Sequence, residues 1–340
     1  MTASSNELEP KVKVILITGA GRSGSTLLGH MLGQISNWFA IGEVFFLWDR
    51  LLENSTCGCS ELVHTCPVWG QIKASFKNVS DANLRNLIEA RDSLKVQPQG
   101  LAGGKIQLHN LWRRFTGKRA FFKPEQVRKL AEQLGKVYQQ LAVVTGSKIL
   151  IDTSKSSAHG YVLQQIQSID LYQIHLVRDA RAVAYSWSKK DKLYDVLDGK
   201  PRHFPKRSTF ASVADWAWVN LAAQTLFSSR LRSERYQRIR YEDLVCSPRR
   251  TVQGIIRRID VTASASFIGD DESVNLEPNH MVAGNPSRFS SGVTHLTIDD
   301  EWRTNMPLQD KMLAVVMSFP WMLGYGYFSR PKPVAHKEEY

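Results

Sequence analysis

VKVILITGAGRSGSTLL, residues 12–28, runs from an apolar strand-like segment into a glycine-rich turn and a helix start. Gly19, four intervening residues, then Gly24, Ser25 and Thr26 reproduce the spacing of a phosphate-binding P-loop, but Ser25 stands where that motif has lysine. Arg22 lies three positions earlier. The amides of Gly24, Ser25 and Thr26 are expected to face an anion from the helix N-terminus, with Gly21 and Ser23 completing the turn. Lysine in a nucleotide hydrolase is a point charge on the outer phosphates, a task serine cannot take over. Arginine at position 22 can instead fork two oxygens of a bound anion. The loop therefore reads as a grip for a phosphate-like group whose cation has been moved forward.

Three further apolar runs, residues 148–152, 172–178 and 236–241, have strand character, and each precedes a helix-like segment. Alternation of this kind predicts an α/β fold: a P-loop-NTPase-like, mainly parallel sheet flanked by helices, with a long helical insertion after the first βα unit. One domain is expected over 12–329. Residues 35–147 and 193–231 would be insertions that shape a substrate site, and residues 1–11 and 330–340 loose ends. Helices are expected near 80–93 and 123–144, and one ends the second insertion.

The 340 residues carry a formal charge of +12, which favours an anionic partner. No run approaches the 18 apolar residues of a membrane span. The N-terminus lacks an apolar leader core, so a cytoplasmic location is the expectation. Basic and aromatic residues interleave in LWRRFTGKRAFFK, residues 111–123, a pattern that also suits nucleic acid. Cys57, Cys59 and Cys66 crowd one short segment. Free thiols, a disulfide, or zinc completed by His64 are all open readings there.

A second constellation sits in IHLVRDARAVAYSW, residues 174–187. Arg178 ends a strand, and Ser186 follows two helical turns later, so both can approach one anion at the carboxyl edge of the sheet. With these motifs in order, the chain resembles the sulfotransferases that use 3′-phosphoadenosine 5′-phosphosulfate (PAPS). The resemblance spans about residues 13–325. Arg22-Ser23-Gly24-Ser25-Thr26 matches that family's 5′-phosphosulfate loop, Arg178 and Ser186 its 3′-phosphate pair, and Arg240 to Pro248 its R-Y-E-D-L-x-x-x-P segment. The resemblance leans toward the carbohydrate and tyrosyl-protein branch and its bacterial relatives.

The resemblance implies PAPS as co-substrate, no required metal, an acceptor bearing a hydroxyl or amine, and no nucleic-acid partner. It assigns Arg22 and Lys155 to the transferring group, Tyr241 to the adenine, and Arg288 to closure of the 3′-phosphate site. The acceptor classes left open are glycan, lipid, peptide tyrosine and secondary metabolite. Glu43 is the expected general base by the same resemblance. Its neighbours Phe39, Ile41, Val44 and Phe45 would hold it partly out of water, which favours proton acceptance. His159 is the leading rival, ahead of His109, His175 and His203. The readings outside this family are an ATP-dependent kinase, against which Ser25 speaks, and a basic nucleic-acid-binding protein.

Overall fold

The computed structural model describes residues 11–76, 80–94, 123–189, 193–197, 200–203, 206–227 and 233–328. His109, the basic-aromatic segment up to residue 122, and residues 1–10 and 329–340 lie outside the described residues.

Five parallel strands form the central sheet: β1 (Val12–Thr18), β2 (Trp38–Gly42), β3 (Ile149–Lys155), β4 (Ile169–Val177) and β7 (Tyr236–Arg240), in the order β2-β3-β1-β4-β7. In β1 the residues from Val14 to Ile17 are fully buried, which is what a strand covered on both faces requires. Its side chains divide by parity. Val14 and Leu16 join a core with Trp48, Trp69, Tyr138 and Leu150, while Ile15 and Ile17 join one with Leu28, Met31, Val252 and Ile255. The strand's two-residue period thus places a separate hydrophobic layer on each side of the sheet. Full burial of each such aliphatic side chain contributes about 1.5–3 kcal/mol.

Helices cover both faces. Between β1 and β3 lie α1 (Ser25–Leu32), α2 (Leu47–Glu53), α3 (Trp69–Ser75), α4 (Asp81–Asp92) and α5 (Pro124–Thr145). After β3 come α6 (Ser157–Leu163), α7 (Ala180–Ser188) and α8 (Thr209–Phe227), with a short hairpin of β5 (Leu193–Leu197) and β6 (Lys200–His203) before α8. Beyond β7 the chain forms α9 (Tyr241–Cys246), α10 (Pro248–Ile259), a small β8–β9 pair (Val274–Leu276 and Gly292–Thr294), α11 (Trp302–Asn305) and α12 (Leu308–Gly324). No helix among the described residues is long and apolar enough to cross a membrane.

The α/β expectation matches this architecture, and all four strands expected from the sequence are present. The fifth, β2, was expected to lie within an insertion. It is five residues long, pairs among the described residues with β3 alone at the sheet edge, and finds that partner more than a hundred residues later (Trp38 beside Ile149).

The turn after β1 shows why its glycines are there. Gly19 has φ +139°, and a Cβ on it would lie 2.2 Å from the Leu176 carbonyl oxygen of the neighbouring strand. Gly24 caps α1 in the left-handed region at φ +88°, with the Tyr241 ring where a Cβ would go, 2.6 Å away. Neither site admits a side chain.

Candidate active site

All five strands end at one edge of the sheet, and each delivers a residue to the same cleft of about 780 Å³. The P-loop, Gly19 to Thr26, follows β1, and Glu43 follows β2. Lys155 closes β3, Arg178 follows β4 and Tyr241 follows β7. Carboxyl ends of parallel strands are where open α/β sheets bind ligands, because loops there are free to vary while the strands hold their roots. The volume lies within the range of small-molecule sites.

The P-loop meets the anion expectation in its geometry. Gly24 in the left-handed region turns the chain into α1, which begins at Ser25. Ser23, Ser25 and Thr26 are buried, and Ser23 Oγ has no hydrogen-bond partner among the described residues. An orphaned buried hydroxyl inside such a loop fits an anionic ligand. Thr26 Oγ1 accepts a hydrogen bond from the Asn285 amide at 3.1 Å, so the loop of Gly284 and Asn285 closes over the start of α1.

Arg22, Arg178 and Ser186 form one group. Arg22 Nε donates to Ser186 Oγ at 3.1 Å, and Arg178 Nη1 donates to the Arg22 carbonyl oxygen at 2.9 Å. Burial, with the nearby Arg178 charge, holds the Arg22 guanidinium below its ordinary pKa, and Asp299 partly offsets that. Two guanidiniums in this proximity favour an anion between them. Arg178 also pairs with Asp299 Oδ2 at 3.0 Å and lies over the Tyr241 ring, 4.4 Å from its centroid. The loop carrying Arg178 is held from the R-Y-E-D segment: Glu242 Oε1 accepts from the Asp179 amide at 3.1 Å, and Glu242 Oε2 accepts from the Tyr327 hydroxyl at 2.9 Å. Burial raises the Glu242 pKa.

At the other side of the cleft, Lys155 Nζ donates to Glu43 Oε1. Lys155 has φ +62°, a left-handed conformation in a residue other than glycine, directly at the end of β3. Strain of this kind, of order 1–3 kcal/mol, is held only where the surroundings demand it. The Glu43 amide donates to the Ala283 carbonyl at 3.0 Å, and the Phe45 amide to Ser154 Oγ at 2.9 Å. Phe45 and Phe46, with Trp187, Trp218, Val219 and Ala222, give the cleft an apolar wall.

Several residues sit elsewhere than expected. Arg288 does not line the cleft. It is fully buried, and it donates to the Gly284 carbonyl at 2.7 Å and the Thr56 carbonyl at 3.3 Å, so it ties the Gly284 loop from behind. A charged side chain this deep needs carbonyl partners, and those partners hold it behind the Gly284 loop. His159 is absorbed into a buried triad, with Nε2 at 2.8 Å from Asp152 Oδ2 and 3.2 Å from the Tyr138 hydroxyl. Among the histidines weighed, His203 reaches the cleft, on its exposed rim. His64 is not positioned to complete a zinc site, because its Nε2 lies 2.7 Å from the Leu51 carbonyl and its Nδ1 3.0 Å from Lys73 Nζ.

His175 is a core residue. Its Nδ1 accepts from the Tyr236 hydroxyl and its Nε2 donates to Asn220 Oδ1, both at 2.8 Å. Burial lowers its pKa from 6.5 to about 4, opposed by the Asn220 bond and aided by Arg238. The folded chain keeps this imidazole neutral where the unfolded chain takes up a proton. Its contribution is therefore present above about pH 6.5 and is lost as pH falls toward 4, by about 3 kcal/mol. Thermal melts across that interval should fall more steeply for wild type than for His175→Gln. Parallel slopes would refute the assignment.

Asp299, Asn285 and Glu242 were missed in the sequence. Asp299 stands in a loop with no local signature, and Asn285 lies in the turn that Gly284, Asn285 and Pro286 spell, but its contact with Thr26 spans 259 positions. Glu242 was visible within its motif, but its bond to the Asp179 amide spans 63 positions.

The profile of the Sulfotransferase family matches residues 14–265. No curated protein matches the chain. Among solved structures, the sulfotransferase domain of the curacin biosynthetic pathway aligns over 92% of this chain and 97% of its own, at 18% identity and TM-score 0.46. The sulfotransferase domain of the Synechococcus PCC 7002 olefin synthase aligns over 94% and 98%, at 18% identity and TM-score 0.43. A sulfotransferase from Mycobacterium avium aligns over 74% and 64%, at 13% identity and TM-score 0.40.

Proposed function

The chain belongs to the sulfotransferase family, and from that premise we propose that it transfers the sulfuryl group of PAPS to a hydroxyl on a largely apolar acceptor. One observation carries the reading. A P-loop without its lysine, a pair of arginines beside a serine, and a Glu43–Lys155 pair all enter one cleft from the ends of adjacent strands.

In this reading the P-loop amides and Ser23 hold the 5′-phosphosulfate, and Arg178 with Ser186 holds the 3′-phosphate. Tyr241 supports the nucleoside. Arg22 spans the two ends, with its backbone in the loop and its guanidinium on Ser186. Glu43 takes the acceptor proton as the hydroxyl oxygen bonds to sulfur. The bond from sulfur to the bridging oxygen breaks, and 3′,5′-ADP departs. Negative charge grows on that leaving phosphate, so the fixed Lys155 ammonium and the P-loop amides stabilise the transition state more than the ground state. These fixed charges and dipoles take the place of a magnesium bridge. The aromatic wall favours an acceptor with an apolar body, since polar groups buried against it would lose water without compensation.

Calorimetric titration tests the donor. Wild type should bind 3′,5′-ADP tightly without added magnesium and ATP with magnesium weakly. The reverse preference would restore a P-loop kinase. A screen of aromatic and long-chain alcohols against sugars then tests the acceptor, and a preference for sugars would refute the apolar assignment.

A further inference from the structure

The cysteine cluster lies outside the cleft and contributes nothing to the transfer just described. Its backbone is two tight turns. Cys57 to Ser60 forms the first, where the Cys57 amide donates to the Glu61 carbonyl at 2.7 Å and the Ser60 amide to the Cys57 carbonyl at 2.9 Å. Cys66 opens the second, with its amide 2.8 Å from the Leu62 carbonyl, and runs through Pro67 and Val68 into α3. The turns bring Cys66 Sγ to 3.6 Å from Cys57 Sγ and 3.8 Å from Cys59 Sγ. A fourth donor arrives from far along the chain: His280 Nδ1 is 3.3 Å from Cys66 Sγ. All four donor atoms lie within 4.8 Å of one another.

We propose that Cys57, Cys59, Cys66 and His280 bind one structural zinc ion. Tetrahedral zinc at about 2.3 Å from each sulfur separates neighbouring sulfurs by about 3.7 Å, so the two short S–S spacings are those of ligands around an ion. A disulfide would need one pair drawn together to about 2.0 Å and would leave the third thiol over. Three soft sulfurs and an imidazole are a zinc donor set. Backbone amides already face the sulfurs: Cys59 toward Cys57, Glu61 toward Cys59, and Val68 and Trp69 toward Cys66. His280 is fixed in place independently, since Trp69 Nε1 donates to its carbonyl at 2.6 Å and the Gly58 amide donates to the next carbonyl, of Met281, at 3.0 Å.

Binding exchanges the three thiol protons for the ion, with no change of oxidation state. Four protein ligands leave no open position, so the ion's role is to brace. What it braces is the cleft. The segment after His280 pairs with β2 through the Val282 amide and the Ile41 carbonyl (3.1 Å), receives the Glu43 amide at Ala283, and closes on Thr26 through Asn285. Zinc would thus clamp residues 57–66 to the segment that backs Glu43 and the P-loop.

Elemental analysis of the full chain, purified without an immobilised-metal column, should find about one zinc per chain. A mercurial reagent should release it. Cys66→Ser and His280→Ala should lose it, and His280→Cys, which restores a four-ligand set, should retain it. Cobalt offered to the chelator-stripped chain should give a thiolate-to-cobalt charge-transfer band, a readout that stands even if the variants fail to fold. A zinc-free chain whose cobalt spectrum lacks that band would overturn the proposal. So would a mass lower by two hydrogens with a disulfide mapped within the cluster. Neither readout depends on the donor or the acceptor, so the zinc site and the transferase reading can fail separately.

Discussion

Arg178→Ala is expected to weaken 3′,5′-ADP binding by about 10²- to 10³-fold, since removing one partner of a buried, hydrogen-bonded charge pair costs about 2–5 kcal/mol. Arg178 is 5% exposed, held by Asp299 and stacked over Tyr241, so its guanidinium is already oriented before any ligand arrives. Little ordering entropy is then lost on binding. Arg178→Lys should recover only part of the affinity, because an ammonium cannot reproduce the forked contact. The side chain also supports the Arg22 carbonyl, so the unliganded variant's melting temperature must accompany the titration. A variant that melts like wild type and binds like wild type would remove Arg178 from the donor site.

The second large effect is expected at Glu43. Glu43→Gln should lower kcat by about 10²- to 10⁴-fold, the usual worth of a positioned general base. Donor affinity should change little, because the P-loop and Arg178 are untouched. The contact with Lys155 makes the split informative. If Glu43 only orients the lysine, Glu43→Gln and Lys155→Met should both weaken donor binding. If Glu43 is the base, its variant keeps donor affinity and loses turnover, and Lys155→Met loses turnover through the leaving group. Equal turnover of wild type and Glu43→Gln with an accepted alcohol would exclude the carboxylate as base. His203, on the cleft rim, would then be the next residue to replace.

The parts of the site that were legible in the sequence are contiguous in it. Gly19 to Thr26 form one turn, so their spacing alone encodes an anion grip: the glycines free the backbone and the following helix aligns the amides. Arg178 and Ser186 share one strand-to-helix unit, Arg178 directly after its strand and Ser186 in the last turn of its helix, where Arg22 reaches it. The sheet was legible for the same reason, since buried strands such as β1 announce themselves as unbroken apolar runs.

Local pattern along the chain thus encodes the fold class, the phosphate-binding loop and the loss of its lysine. Tertiary structure decided which residues face one another. Glu43 meets Lys155 across 112 positions because β2 and β3 are neighbours in the sheet, a pairing made between segments more than a hundred residues apart that no local spacing encodes. Arg22 meets Ser186 across 164 positions because β1 and β4 are adjacent. His159 is drawn away from the cleft by a buried carboxylate, Asp152, that needs its partner more than solvent does. His280 replaces His64 beside the cysteines because a loop more than 200 residues on packs against α3 through Trp69. Local spacing encodes what one turn or one strand end can do. The meeting of strand ends is set by the order of the whole sheet, which forms only when burying both of its faces outweighs the entropy of closing such long loops.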